Sequence, residues 1–266
     1  TQWDKDVDSR FVNFCNFHNY LRGKDPVFAR NANQLNRAHD LVRERGVVLV
    51  EINSCAHINV NSEERNRGRT DPKIVKTLDD QLSEFATHGE ANSPLKVALI
   101  HHHPVLLPGF FDPAGEYDAV RNGDQLLRVL RRHGVHAVLH GHKHWPAVFS
   151  YDPVTTWSGA ERLPLLMVAG GSVGSDRLAA ANRNRNSTNT YALVTLTWHP
   201  TSQALRARVE TRGLVTTDEY GDSLPELDWE WEERSGRERM LPRTNPRPAK
   251  NSPEIFRWKK DQHEDS

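Results

Sequence analysis

The sequence has little cysteine and no long apolar run. Its only cysteines, Cys15 and Cys55, cannot build a disulfide framework, which fits a reducing compartment. No apolar run approaches the roughly 20 residues that a membrane-spanning helix needs. Thr1 does not begin a signal peptide. We therefore expect a cytoplasmic chain.

The chain also lacks an excess of charge of either sign. It carries 35 Lys and Arg against 35 Asp and Glu, a formal net charge of zero. This balance gives no signal for a nucleic-acid or membrane-surface partner. The 266 residues suit one or two domains with a sizeable core, and 26% charged residues indicate a polar surface or a disordered portion.

The histidines of the chain are concentrated in two dense clusters. Seven of its fourteen histidines are residues 101–103, 136, 140, 142 and 144. Residues 97–104 and 137–144 each form a short apolar run that ends in histidines, as expected for buried strands of a parallel sheet. Reactive groups in open α/β sheets lie past the carboxyl ends of the strands, so both clusters are expected to meet in one crevice. Imidazole is a common metal ligand, and the pattern predicts a metal centre.

A structural role is the alternative for each histidine. A single histidine at a strand end, such as His136 or His140, is usually a hydrogen-bonded structural residue. His142 and His144 are different, because an i, i+2 pair in an extended segment points to one side. Gly141 before them allows a close backbone approach. We interpret this pair as ligands.

The two motifs, His-His-Pro after one strand and Gly-His-Lys-His after the next, resemble the last two metal-binding motifs of the calcineurin-like metallophosphoesterases. Asn53-Ser54 after a strand, Gly68, and the glycine turn at residues 168–172 agree with that family. The resemblance implies a four-layer αββα sandwich with mixed sheets. It also implies that the protein hydrolyses small phosphoester substrates, either phosphomonoesters or phosphodiesters. The nucleophile would be a hydroxide bound by two divalent metal ions (Mn, Fe or Zn).

The resemblance assigns the catalytic metal ligands. His142 would bind one metal ion, His144 the other, and His102 matches the ligand of the preceding motif. His101 and His103 are alternatives to His102. Whichever of these is not a ligand, together with Asn53, is expected to orient a ligand or hydrogen-bond the substrate.

The family also has carboxylate-bearing motifs upstream, Asp-x-His, Gly-Asp and Gly-Asn-His, and none of them precedes His101 here. We therefore expect residues 1–215 to be the C-terminal part of a metallophosphoesterase domain, incomplete at its N-terminus. Residues 216–266, charged and rich in proline, are expected to be a loosely docked or disordered tail. The chain alone would lack half of the metal ligands and turn over little substrate.

Two other functions stay open. His102, His142 and His144 could form a mononuclear zinc site with an open water position. Alternatively, the chain is a non-catalytic binding or scaffold domain in which the imidazoles are only hydrogen-bonded.

Apolar periodicity and turn residues predict the elements. We expect helices over residues 9–22, over residues 31–45 with Gly46 as stop, from Asp71-Pro72 towards Gly89, and after a cap at Asn122. The predicted strands are Val47–Ile52, Leu95–Ile100, and residues 136–139, 148–151, 165–169, 191–198 and 205–210.

Overall fold

The computed structural model describes residues 36–58, 67–85, 93–107, 119–152, 164–172, 189–198, 204–215 and 230–242. It divides into two compact units, unit 1 (Thr1–Lys143) and unit 2 (His144–Ser266). The fold is mixed α/β, with both parallel and antiparallel strand pairs and little helix. The predicted helix over residues 9–22 lies outside the described residues.

Unit 1 is built on parallel strands joined by helices. Its elements are β1 (Arg37–Leu41), α1 (Val42–Arg45), β2 (Val47–Ile52), α2 (Pro72–Leu82), β3 (Leu95–Ile100), α3 (Gly123–Arg132) and β4 (Ala137–His140). The strand order within the unit is β1-β2-β3-β4. β2 pairs with β3 and β3 with β4 in parallel, whereas β1 is antiparallel to β2. The predicted strand–helix alternation is confirmed, and β2 and β3 have the predicted bounds.

Helix α2 begins where the sequence predicts. The Asp71 carboxylate accepts a hydrogen bond from the Lys73 backbone N–H at 2.8 Å, and Pro72 occupies the first helical position. The helix ends earlier than predicted, with Ser83 as its C-cap. Its apolar stripe is buried, as expected of a helix that covers a sheet: Ile74, Val75, Leu78 and Leu82.

Helix α3 is anchored at its start by contacts with backbone carbonyl groups. Asn122 precedes the helix, but its side chain makes no capping hydrogen bond, so that part of the prediction is wrong. Asn122 has a left-handed φ of 64°, and its amide donates instead to the Thr70 carbonyl at 3.0 Å. A Cβ on Gly123 would lie 2.4 Å from the Pro104 carbonyl oxygen. The start of α3 therefore packs directly against the segment that follows the first histidine cluster.

The predicted helix over residues 31–45 is wrong over most of its described part. Residues 37–41 form strand β1, and only Val42–Arg45 is helical, ending as predicted at Gly46 in the left-handed conformation. Residues 31–35 lie outside the described part. The apolar spacing fits a helix, but five residues of β1 instead pair with the edge of β2. His39 also contacts the Glu51 carboxylate across this pair, at 2.7 Å. Pairing with β2 overrides the local pattern.

Unit 2 consists of antiparallel strands. β5 (Ala147–Tyr151) pairs with β6 (Leu165–Ala169), and β7 (Thr190–Trp198), β8 (Ala204–Val215) and β9 (Glu230–Pro242) form a three-stranded sheet in that order. The four strands predicted in this region are confirmed. β9 lies within the segment expected to be a loose tail, and its residues pair with β8. The rest of residues 216–266 lies outside the described part.

In the described part of the chain, no helix has the length and apolar character to cross a membrane.

The core of unit 1 gives the first test. Leu126 in α3 is fully buried, so Leu126→Ala should lower the free energy of unfolding by about 2–5 kcal/mol through lost burial and a cavity. Leu106→Ala is the control, because that side chain is 54% exposed and its loss should change stability by less than about 0.5 kcal/mol. Urea unfolding measures both, and equal effects would contradict the packing described.

Candidate metal centre

The parallel pairing of β3 with β4 brings the two histidine clusters together. Ile100 is opposite His140 in the register. One residue further on, the Gly141 N–H donates to the His101 carbonyl at 3.0 Å. The residues that follow the two strands are therefore neighbours, as the sequence predicts for strand ends in a parallel sheet.

Three of these histidines form a compact group, which we call the three-histidine group: His101, His102 and His142. One nitrogen from each ring lies within 4.8 Å of the others. His101 is exposed, His142 is half-buried and His102 is buried. The group therefore runs from the surface into the core.

The spacing between His101 and His142 suits two ligands of one metal ion. His101 Nε2 and His142 Nδ1 are 3.3 Å apart. Zn–N bonds of about 2.0–2.1 Å in a tetrahedral site place two ligand nitrogens roughly 3.3–3.4 Å from each other. The same distance allows a hydrogen bond between the two rings when no ion is present.

The backbone at His142 is unusual. Its φ of 78° lies in the left-handed region, which is uncommon for residues other than glycine and costs roughly 1–2 kcal/mol. Strain of this kind is concentrated at functional sites, where the surrounding structure holds it. It turns the His142 ring towards His101 and His102.

The ring of His102 is enclosed by two residues of the loop after β2, Ser54 and Gly68, which we call the seat of His102. Its Nδ1 lies 2.8 Å from the Ser54 hydroxyl, and its ring packs against Gly68. A Cβ on Gly68 would lie 2.5 Å from His102 Nδ1. Because Ser54 contacts Nδ1, Nε2 is the nitrogen that His102 can offer to a metal ion.

The remaining predicted residues occupy different places. His144 begins unit 2 with a φ of 55° and is outside the three-histidine group, while His101, predicted as an alternative, is inside it. His103 is buried, with its ring centroid 6.1 Å from that of His142. Asn53 accepts a hydrogen bond from the Cys55 N–H at 3.0 Å and so shapes the turn that carries Ser54. Whether His144 binds metal stays a prediction.

Sequence reasoning missed the contacts that hold His102. Ser54 and Gly68 were noted only for their family resemblance, and neither was expected to contact the ring. Gly68 lies in a loop of charged and polar residues, and nothing near it in the sequence points to His102. Nothing in the sequence marks Ser54 as the partner of a residue 48 positions away.

Burial keeps these imidazoles neutral. It lowers the pKa of His102 to about 3, with further lowering by the neighbouring charges of His142, His101, His103 and Lys143. Burial also lowers the pKa of His103 to about 4 and that of His140 to about 3. Neutral imidazole is the form that binds metal.

The donor set fits one divalent cation better than two. Within the described residues, the group contains three imidazoles and no carboxylate. Three histidines with an open position are a known zinc arrangement, whereas two adjacent cations need carboxylates to bridge them and offset their charge. A second ion would require ligands from outside the group.

The seat of His102 can be tested with two glycines. Gly68 and Gly46 have nearly the same φ, 67° and 69°, but a Cβ on Gly46 meets nothing within 4 Å. Both alanine variants should lose roughly 1–2 kcal/mol of stability from backbone strain. Only Gly68→Ala should also weaken metal binding, because its methyl displaces His102. Calorimetric titration with Zn²⁺ separates the two effects, and equal affinities would show that the contact is unimportant.

The neutral imidazoles predict acid sensitivity. Unfolded histidines gain a proton near pH 6.5, whereas His102, His103 and His140 stay neutral in the folded chain down to about pH 3–4. The unfolded state therefore binds more protons between these values. Stability should be full above pH 6.5 and fall with decreasing pH by about 1.4 kcal/mol per pH unit for each group.

Unfolding measured in chelator from pH 7 to pH 4 checks this, and His140→Phe should flatten the slope by one group's share. An unchanged slope in the variant would show that His140 charges freely in the folded state.

A comparison with protein-family models and with curated protein sequences gave no match. Function is therefore inferred from the site itself.

Proposed function

We propose that the chain is the histidine-bearing part of a metal-dependent hydrolase of phosphomonoesters or phosphodiesters, of the calcineurin-like metallophosphoesterase kind. The observation that carries the proposal is the meeting of His101, His102 and His142 just past the carboxyl ends of β3 and β4. The four-layer αββα sandwich is part of the same proposal. So is a cytoplasmic location, which the scarcity of cysteine supports.

The three rings have separate tasks in this proposal. His102 would offer Nε2 from its buried seat, and His101 and His142 would offer the two nitrogens that lie 3.3 Å apart. A divalent ion held there would supply Lewis-acid chemistry, neutralising phosphate charge and lowering the pKa of a water molecule. Because His101 is exposed, the open side of the group faces solvent, where a substrate can enter.

The charge of the site favours an anionic substrate. Three neutral imidazoles leave the two positive charges of a divalent ion uncompensated. Lys143 adds a further positive charge, close enough to lower the pKa of His102 and His103. A phosphoester carries the negative charge that such a site attracts. A neutral ester or peptide would lack this attraction between net charges.

A second metal ion would need the carboxylates of the upstream motifs. We propose that a longer protein supplies them and holds two ions (Mn, Fe or Zn), with His144 as a ligand of the second. The present chain would then bind one ion weakly and show little turnover.

A mononuclear zinc hydrolase is the second candidate. It is favoured by the 3.3 Å spacing and by the absence of carboxylates from the group in the described residues. Its ligands would be His101, His102 and His142 rather than the set that includes His144. It requires no upstream residues, so it predicts one tightly held ion and turnover by this chain.

Metal affinity and turnover decide between these functions. We expect the purified chain to bind one Zn²⁺ or Mn²⁺, and His142→Ala to bind it at least about 10-fold more weakly, since one ligand in three is lost. His57→Ala is the matched control, because His57 lies outside the group, beside Asp71 at 3.6 Å. The measurement is calorimetric titration, followed by hydrolysis of nitrophenyl phosphate mono- and diesters with and without chelator.

Each outcome has a distinct meaning. Weak binding with little turnover supports the split two-metal enzyme, and tight zinc with chelator-sensitive turnover supports the mononuclear enzyme. No binding, or equal binding by the wild type and His142→Ala, would contradict both and favour a non-catalytic scaffold.

A further inference from the structure

We infer that two copies of the chain pair through the outer edge of β7, antiparallel and centred on Val194, so that their three-stranded sheets join into one. The outer edge is the side of β7 that does not face β8. This inference is independent of the proposed metal site, because β7 lies in unit 2 and the three-histidine group lies in unit 1.

The hydrogen bonds at the start of β7 show which of its backbone groups face outward. The Asn189 carbonyl accepts the Leu214 N–H at 2.8 Å, so the backbone of residue 189 faces β8. The next residue faces the other way, since the Thr190 N–H donates to the Ser172 carbonyl at 2.8 Å. Backbone groups alternate in direction along a strand, and β7 pairs with β8 in one continuous register. The even-numbered residues of β7 therefore direct their N–H and C=O groups to the outer edge.

This edge is open over its middle. In the described part of unit 2, β8 is the only strand that pairs with β7. Ser172 covers Thr190, but no described residue takes the outward N–H groups of Ala192, Val194 and Leu196. A row of unpaired donors and acceptors along an extended strand is a template for pairing with another strand. Val194 is the centre of this row.

The residues of β7 do not protect its edge. Its nine residues include no charged residue, proline or glycine. Two of its side chains are large, apolar and exposed, Leu193 at 50% and Tyr191 at 38%. By contrast, seven of the 13 residues of β9, the strand at the opposite side of the sheet, are charged. Charged side chains are a usual protection against edge-to-edge pairing. Association is thus directed to β7, and it ends at two copies because β9 then forms both outer strands.

The strand is complementary to itself. An antiparallel pair centred on Val194 places Leu193 of one copy opposite Thr195 of the other, and Tyr191 opposite Thr197. Aromatic and β-branched side chains are favourable cross-strand partners, and no charged residue of β7 meets a like charge. The two-fold axis repeats every one of these contacts. The partner that fits this edge is therefore a second copy of the same strand.

Two matched double variants of the full chain test the pairing. Leu193→Lys with Thr195→Lys sets lysines of the two copies opposite each other, and Leu193→Glu with Thr195→Glu sets glutamates there. Residues 193 and 195 pair with Glu210 and Arg208 of β8, so each variant meets one opposite and one like charge in its own chain. Leu106→Lys is the control, because it adds a charge at an exposed leucine of unit 1.

Sedimentation analysis measures the monomer–dimer equilibrium. The wild type and Leu106→Lys should dimerise alike, and each double variant should raise the dimer Kd at least about 10-fold, because like charges face each other across the new pair. An equimolar mixture of the two double variants should recover the dimer, since opposite charges then meet. A wild type that stays monomeric from the micromolar to the millimolar range would overturn the inference. So would a mixture that does not recover, or growth of the wild type beyond the dimer.

Amide hydrogen exchange of the wild type tests the edge directly. The N–H groups of Ala192, Val194 and Leu196 should exchange more slowly as protein concentration rises, whereas those of Leu193 and Thr195, which face β8, should not change. Slow exchange of the even-numbered amides in the monomer would show that a segment of the same chain covers the edge. A dimer in which these amides exchange as in the monomer would show that another surface associates. Either result would overturn the inference.

Discussion

The parallel pairing of β3 with β4 is the constraint on which the candidate site depends. The register that sets Ile100 opposite His140 continues past both strands, where the Gly141 N–H bonds to the His101 carbonyl. Because side chains alternate along a strand, a shift of one residue would turn His102 towards the opposite face. It would also remove His102 from the seat formed by Ser54 and Gly68. Sheet pairing therefore determines which of the three consecutive histidines lies against Ser54 and Gly68.

Burial then gives these histidines their chemical form. In the described residues, His140 has no hydrogen-bond partner at either ring nitrogen, and His103 has none at Nδ1. Removing an unsatisfied polar group from water costs about 1–3 kcal/mol. Core packing of unit 1 offsets this cost, since the fully buried leucines of α2 and α3 lie in the same unit. An apolar side chain at position 140 would avoid this desolvation cost. No contact among the described residues explains why a histidine is there.

Local signals in the sequence predicted much of unit 1. Asp71-Pro72 marks the start of α2 because capping and the φ of proline act within one turn. Val47–Ile52 is recognisable because five of its six residues are apolar, which is typical of a strand buried in a parallel sheet. β1 was missed because its structure comes from the edge of β2, outside its own sequence. The contact of Ser54 with His102 was missed for the same reason, since its two residues are 48 positions apart in the sequence. The resemblance assigns ligands by motif position and so ranks His101 below His102, whereas in the structure the rings of His101 and His142 are in contact.

The contact between His101 and His142 shows what metal binding would have to change. At 3.3 Å without an ion, one nitrogen carries the proton that the other accepts. An ion needs the lone pairs of both, so this proton must move to the other nitrogen of its ring. The hydrogen bond lost is worth about 0.5–1.5 kcal/mol. This is small beside the roughly 10–16 kcal/mol of structural zinc sites. This rearrangement would fall on the half-buried ring of His142 and the exposed ring of His101, which solvent can reach.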